Sequence, residues 1–281
     1  MVERTQDRQA IVNSFFDTDA DNWESIYSAH DVFSVIHQQR QSTALAWLDA
    51  VNLAAGTPVL EVGCGVGRAT IEIARRGLVV TACDSAAEMV RKADANLRRA
   101  GIERGVSLSQ ADIHDPPFEP ESFGLVIALG VIPWLHSPET ALSAITRMLR
   151  PGGYLIANVD NARRLEVLLD PRFSPWLSSA RDLLRGRRRL EPANEPAVAD
   201  TTRHLRSEFD SMLAARGLTK VRATTLGFGP FTFLGRRIFP DGFAVGLHSR
   251  LQQMADHGVP GLRASGAQYL VLARRAADQH A

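Results

Sequence analysis

Cysteine is scarce in this chain: Cys64 and Cys83 are two residues among 281. A pair at this spacing forms neither a disulfide framework nor a metal-ligating cluster, and the expected state is two reduced, mostly buried thiols. No run of ~18 consecutive apolar residues occurs, so no stable membrane insertion is expected. Excess charge of one sign is also missing. Thirty-two Lys and Arg stand against 31 Asp and Glu, a formal net charge of +1, so nothing global calls for nucleic acid or an acidic surface as partner. Internal repeats and long low-complexity segments are absent. The opening residues MVERTQDRQAIVNSFF are charged and carry no long apolar stretch, which argues against a secretory leader and for a cytoplasmic setting.

What is present is the composition of a globular protein with a core: 45% hydrophobic and 22% charged residues. The length suits one α/β domain with an added cap. From Pro58 onward, short apolar runs alternate with helix-like runs. Strands are expected at Val59–Val62, Leu78–Cys83, Val106–Gln110, Phe123–Leu129 and Tyr154–Val159, the last after the turn Pro151-Gly152-Gly153. Helices are expected at Arg68–Arg76, Ala86–Ala100 and Glu139–Leu149, with Met89, Ala93 and Leu97 sharing one face of the second. Further on, Thr201–Arg216 is expected to be a helix and Leu218–Leu226 and Gln268–Arg274 two closing strands, with a short helical stretch near Leu247–Ala255. Such alternation predicts right-handed crossovers and a doubly wound, mostly parallel, seven-stranded Rossmann-like sheet. Around it stand an N-terminal helical arm (1–52), a core (53–160) and a C-terminal part of cap insertions and closing strands (161–281). In such sheets a ligand sits beyond the carboxyl ends of the strands.

One such end carries Glu61-Val62-Gly63-Cys64-Gly65-Val66-Gly67. Glycines here let a ligand approach the main chain closely, and the free amides of the following helix can face a polar group. A dinucleotide fingerprint, G-x-G-x-x-G, would need its last glycine at position 68, which is Arg68. Glu61 suits a cationic or hydroxylated ligand better than a pyrophosphate.

The run VLEVGCGVGRAT resembles the first motif of the class I S-adenosylmethionine-dependent methyltransferases. VVTACDSAAEMV, SQADIHDPPF, SFGLVIALGVIPWL and MLRPGGYLIANV resemble the motifs that follow, in order and at ordinary spacing. One departure is Phe123-Gly124, where many relatives have Phe-Asp; it lies at a strand's start and bears on packing. The resemblance implies that Gly63, Gly65 and Gly67 cradle S-adenosylmethionine beside Glu61. Asp84 would accept from the ribose hydroxyls, although Asp there is also a good helix N-cap. Asp112 would accept from the adenine amine, with Ile113 on the ring and Met89 near the adenosine. Cys64, Ser85 and Leu129, in the same turns, complete the expected cofactor set.

The segment with Phe15, Phe16, Asp17, Trp23, Tyr27, His37 and Arg40 resembles the N-terminal arms of quinone-pathway and tetrapyrrole-precursor O-methyltransferases. By that resemblance Arg40 pairs with the cofactor's carboxylate and Tyr27 walls the methyl site; the aromatics also suit plain helix packing. Methyl transfer to a hydroxyl needs a base. His136, beyond the fourth strand, and His37 on the arm are the candidates, with His30 behind them. The loop Leu129-Gly130-Val131 offers no acid, so no metal is expected. Pro133, Trp134, Phe228, Phe231, Phe233 and Phe239 suggest an apolar acceptor pocket or simply a packed cap. Arg185-Gly186-Arg187-Arg188-Arg189 suits a solvated loop better than an RNA platform.

The expected function is methyl transfer to oxygen or nitrogen of a small, partly apolar or aromatic molecule, by in-line displacement. Alternatives are a lipid or quinone-precursor methyltransferase at a membrane surface, and a non-catalytic cofactor-binding subunit. A homodimer is compatible with either.

Overall fold

A computed structural model describes residues 2–165, 201–233 and 236–277. The expected Arg185–Arg189 loop falls outside them. The centre is a sheet of the strands β1 (Pro58–Val62), β2 (Val79–Asp84), β3 (Val106–Gln110), β4 (Phe123–Ala128), β5 (Leu149–Asn161), β6 (Arg203–His204), β7 (Leu218–Leu226) and β10 (Gln268–Arg275). Seven of these run in the order β3-β2-β1-β4-β5-β10-β7, and the two-residue β6 pairs with the end of β5. β10 is antiparallel to both neighbours; the pairs among β1 to β5 are parallel. The α/β doubly wound architecture expected from the alternating pattern is therefore present, with one short strand added.

The sheet is central because its strands are apolar on both faces. All six residues of β4, FGLVIA, are buried, as a strand covered on two sides requires. One face is packed by α6 (Pro138–Met148), with Leu142, Ile145 and Met148 inward, and by α7 (Arg206–Ala214), with Phe209 and Leu213. On the other, Ala44, Trp47 and Leu48 of α3 (Val32–Val51) and Ile73 of α4 (Arg68–Ala74) meet Val59, Leu125 and Ile127. α5 (Ala87–Arg99) buries Met89, Ala93 and Leu97. Ahead of α3 lie α1 (Val2–Thr18) and α2 (Ala20–Ser25).

The order of connections reverses at β1, which has β2 on one side and β4 on the other. The register brings the carboxyl ends of all three level, Val62 lying opposite both Cys83 and Ala128. That is the crevice where such sheets bind ligands.

Three elements differ from expectation. Pro151-Gly152-Gly153 is not a turn ahead of the fifth strand. It lies within β5, where the pairing slips from Phe123–Leu149 to Leu125–Tyr154. The helix expected from Thr201 begins only at Arg206, because Arg203 and His204 pair with Asp160 and Asn161, and Glu208 caps the Leu205 amide at 2.8 Å. The short helix near Leu247 is longer, α8 (Asp241–Asp256), with a buried face of Ala244, His248, Gln252 and Ala255. Half of that face is polar, so apolar periodicity does not mark it. Before α8, β8 (Thr232–Phe233) and β9 (Arg236–Arg237) form a small hairpin.

Candidate active site

The turn after β1 is shaped by its glycines, but not all of them face the same way. At Gly65, φ is +52° and a Cβ would meet no atom within 4 Å, so its Cα borders open space. At Gly67 (φ +79°) a Cβ would lie 3.1 Å from the Ala93 backbone, so this glycine lets the start of α4 pack on α5. The turn is tied to β2 by the Cys64 amide, which donates to the Cys83 carbonyl at 3.0 Å. Both cysteines are buried free thiols.

Asp84 ends β2. Its carboxylate accepts from the Gly65 amide at 2.9 Å and from the Ala86 amide at 3.0 Å. Burial pushes its carboxyl above the usual range despite these bonds. Glu61 stands in β1, 5% exposed. Thr70 donates to it at 2.5 Å, and burial, reinforced by Asp84, pushes its carboxyl up to about 7. Two carboxyls therefore sit in a low-dielectric crevice short of positive partners, which disfavours their charged forms.

The arm closes this crevice. Asp17 accepts from the Glu88 amide at 2.9 Å, Ser85 donates to Asn13 at 2.7 Å, and Lys92 pairs with Asp21 at 2.6 Å and Glu24 at 2.9 Å. The Phe15 and Phe16 rings lie 5.7 and 5.0 Å from that of Trp134, beyond β4. These contacts bind the arm to α5 on one side and to the β4 loop on the other. A cavity of about 350 Å³ remains beneath it.

Three arm residues bring chemistry to that cavity. Arg40 is buried, its guanidinium lies against Gly130, and its Nε has no hydrogen-bond partner. Burial lowers its pKa, opposed by Tyr27 and Asp160. Burial raises the Tyr27 phenol. His37 places Nδ1 2.8 Å from the Phe33 carbonyl. A carbonyl only accepts, so Nδ1 carries the proton and Nε2 keeps its lone pair. Burial, aided by Arg40, lowers the His37 pKa to about 3, and the ring is neutral near pH 7.

Of the residues expected from sequence, Tyr27, His37, Arg40, Glu61, Gly63, Cys64, Gly65, Asp84, Ser85, Met89 and Leu129 border this one cavity. Gly67, Asp112, Ile113 and His136 do not. Ile113 is in the core. Asp112 accepts from the His114 amide at 2.9 Å and lies 2.7 Å from its Nδ1, and the His114 contact holds its carboxyl low. The His136 ring stacks on His114 at 3.6 Å between centroids. His30 is exposed. Pro133 and Trp134 border the cavity, while Phe231 and Phe239 pack in the cap against Val32, Ile36 and Ala244, and Phe228 is buried. Gln9, Asp160, Arg164, Thr201 and Gln268 also border it. Asp160 directly follows the expected strand Tyr154–Val159, a position from which sequence could have found it. The others carry no motif and arrive from distant parts of the chain.

Residues 60–157 match the family profile described as a methyltransferase domain. Over 128 residues the chain is 29% identical to a ubiquinone biosynthesis O-methyltransferase of Cupriavidus pinatubonensis, covering 44% of this chain and 49% of that protein. Over 160 residues it is 28% identical to a botryococcene C-methyltransferase of Botryococcus braunii, covering 52% and 40%. The chain thus spans about half the length, or less, of these curated relatives. Among solved structures, magnesium protoporphyrin IX methyltransferase from Synechocystis, with bound S-adenosylhomocysteine, superposes with a TM-score of 0.66 at 18% identity, over 96% of this chain and 100% of that one. That likeness establishes the fold. Residues 60–157 thus carry a match to a methyltransferase domain, and the described residues share the fold of that solved structure.

Proposed function

We propose that this chain transfers the methyl group of S-adenosylmethionine to an oxygen or nitrogen of a small, partly apolar or aromatic molecule. The observation that carries the reading is the cavity beneath the arm. Beside a glycine whose missing Cβ leaves open space, it joins two carboxyls, a buried arginine and a neutral histidine. The acceptor atom is the less constrained part, since named relatives act as O- and C-methyltransferases.

The residues present fit the cofactor's chemistry. Two of Asp84's carboxylate positions are held by loop amides, leaving others for hydroxyl donors such as those of a ribose. Glu61 faces the cavity where an ammonium would relieve its burial. Arg40, with an unpartnered Nε, suits a carboxylate. When bound, S-adenosylmethionine supplies a methyl group already activated on a sulfonium. The protein's part is then alignment and exclusion of water, and the aromatic wall of Phe16, Trp23 and Tyr27 from the arm with Trp134 beyond β4 supports both. For a hydroxyl acceptor, His37 is the proposed orienting partner: its neutral Nε2 accepts a hydrogen bond from the hydroxyl while Nδ1 stays on the Phe33 carbonyl. Tyr27 is the proposed wall of the methyl site. His136, whose ring stacks on His114, is given no role in this proposal.

Calorimetry with S-adenosylhomocysteine and with NAD, on the same preparation, tests the cofactor assignment. Binding of the first and not the second is expected. The reverse result overturns it. A panel of phenolic and amine acceptors with labelled methyl donor then tests transfer.

A further inference from the structure

The outer face of the cap is unlike the rest of the surface. Ile238 is 52% exposed, Phe243 59% and Met254 46%. Helical spacing places Phe243, Leu247, Arg250 and Met254 along one stripe of α8, while the opposite side buries Ala244, His248, Gln252 and Ala255. Arg236 and Arg237 of β9, next to Ile238, are exposed, as is Arg250. Two acids lie among them: Asp241, paired with Arg237 at 3.1 Å, and Asp256, which accepts from Gln252. The stripe is therefore apolar at its centre and net positive around it.

This patch also connects inward. The Phe243 ring lies 4.8 Å from Phe239, and Phe239 lies 6.0 Å from Phe231. Phe231 follows Pro230, which borders the cavity with Gly229. The Ile238 amide donates to the Phe231 carbonyl at 3.0 Å, which ties the backbone of the exposed isoleucine to that of the inner ring. The stack is an apolar path from outer surface to cavity wall.

We propose that this face docks on the surface of a bilayer containing anionic lipid. Ile238, Phe243 and Met254 enter the boundary of headgroups and acyl chains, and Arg236, Arg237 and Arg250 meet the phosphates. Peripheral helices bind in this way, by buried apolar area plus attraction to anionic lipid. A bilayer fits better than a second copy of the chain. A self-complementary contact centred on this stripe would set the arginines against their own symmetry mates, whereas an anionic surface neutralises them. The docking is peripheral, and among the described residues no helix is long and apolar enough to cross a membrane.

Co-sedimentation of the full chain with phosphatidylcholine vesicles, with and without phosphatidylglycerol, tests this. Binding is expected to the anionic vesicles, with weaker binding to phosphatidylcholine alone and a fall as salt rises. Ile238→Asp with Phe243→Asp should lower the partition coefficient by about tenfold or more. Arg236→Glu with Arg250→Glu should abolish the preference for phosphatidylglycerol. All four positions are exposed, so melting temperature and S-adenosylhomocysteine affinity should be unchanged. If the aspartate pair unfolds the chain, Phe243→Ser with Met254→Ser takes its place. Absence of vesicle binding, or binding unchanged in the apolar variants, overturns the proposal. So does a dimer in light scattering that Phe243→Asp dissociates without any vesicle binding. Because calorimetry reads the cofactor site separately, loss of docking and loss of the methyltransferase reading are distinguishable.

Discussion

Cofactor binding should expel a proton from Glu61. Its carboxyl is buried, bonded by Thr70 alone among side chains, and pushed up to about 7. At pH 6.5 about three quarters of the free protein therefore carries that proton. A cationic ligand placed beside Glu61 favours the ionised form. If binding returns the group to its ordinary value of 4.5, about three quarters of a proton leaves per ligand bound at pH 6.5. Affinity should rise roughly fivefold between pH 6 and 7, where an α-amino group still keeps most of its charge. Calorimetry in buffers of different ionisation enthalpy measures the release directly. Glu61→Gln should bind with no release and a flat profile. The sign for the free protein is the opposite. A pKa raised on folding contributes stability that is complete below the unfolded value and is lost as pH rises through about 7. The wild type should thus lose melting temperature between pH 6 and 8 relative to Glu61→Gln. A release below about 0.2 protons at pH 6.5, or an equal release in the variant, refutes the reasoning.

Three further outcomes follow from the same site. Asp84→Ala removes a carboxylate that two loop amides hold in place. It should weaken S-adenosylhomocysteine binding by about 1–3 kcal/mol, roughly 5- to 150-fold by calorimetry, and unchanged affinity would remove Asp84 from the site. Gly65→Val places its side chain where no atom lies within 4 Å, so binding should be lost while circular dichroism keeps the fold. Gly67→Ala meets the Ala93 backbone at 3.1 Å and should lower the melting temperature more than it lowers affinity; the opposite pattern in the pair would contradict the assignment of roles. His37→Asn should reduce kcat by about tenfold for a hydroxyl acceptor, the loss of one oriented hydrogen bond, with donor KM little changed. Because burial holds His37 near 3, the wild-type kcat/KM profile should show no acid limb at the ordinary histidine value near 6.5, and one there would contradict a buried, neutral His37.

How much of this was legible in the sequence depends on whether the relevant force is local. The fully apolar β4 and the glycine turn after β1 carry their structure in adjacent residues, and both are found where the pattern predicted them. α8 is underestimated because Ala244, His248, Gln252 and Ala255 form a buried face that polarity conceals. Thr202 and Arg203 have ordinary helical surroundings but are held extended by bonds to Pro133 and β5, which are remote in the chain. Asp112 has a local partner that the motif contains: its carboxylate accepts from the His114 amide two residues on, as Asp does in an Asx turn. The stacking of His136 on His114 is a longer-range contact that no spacing announces.

The charge states were the least legible part, and their causes are shared. Glu61 is raised, His37 is lowered and Arg40 is lowered, each chiefly by burial. None of these shifts belongs to a motif. They arise because the arm covers the carboxyl ends of β1 and β4, and what holds it there is a set of contacts between residues far apart in sequence: Asp17 with Glu88, Lys92 with Asp21 and Glu24, and Phe15 and Phe16 with Trp134. The arm therefore sets charge states as well as bordering the cavity. It keeps His37 neutral near pH 7 and holds Glu61 partly protonated there. A substitution that loosens the arm should accordingly move all three groups toward their ordinary values together.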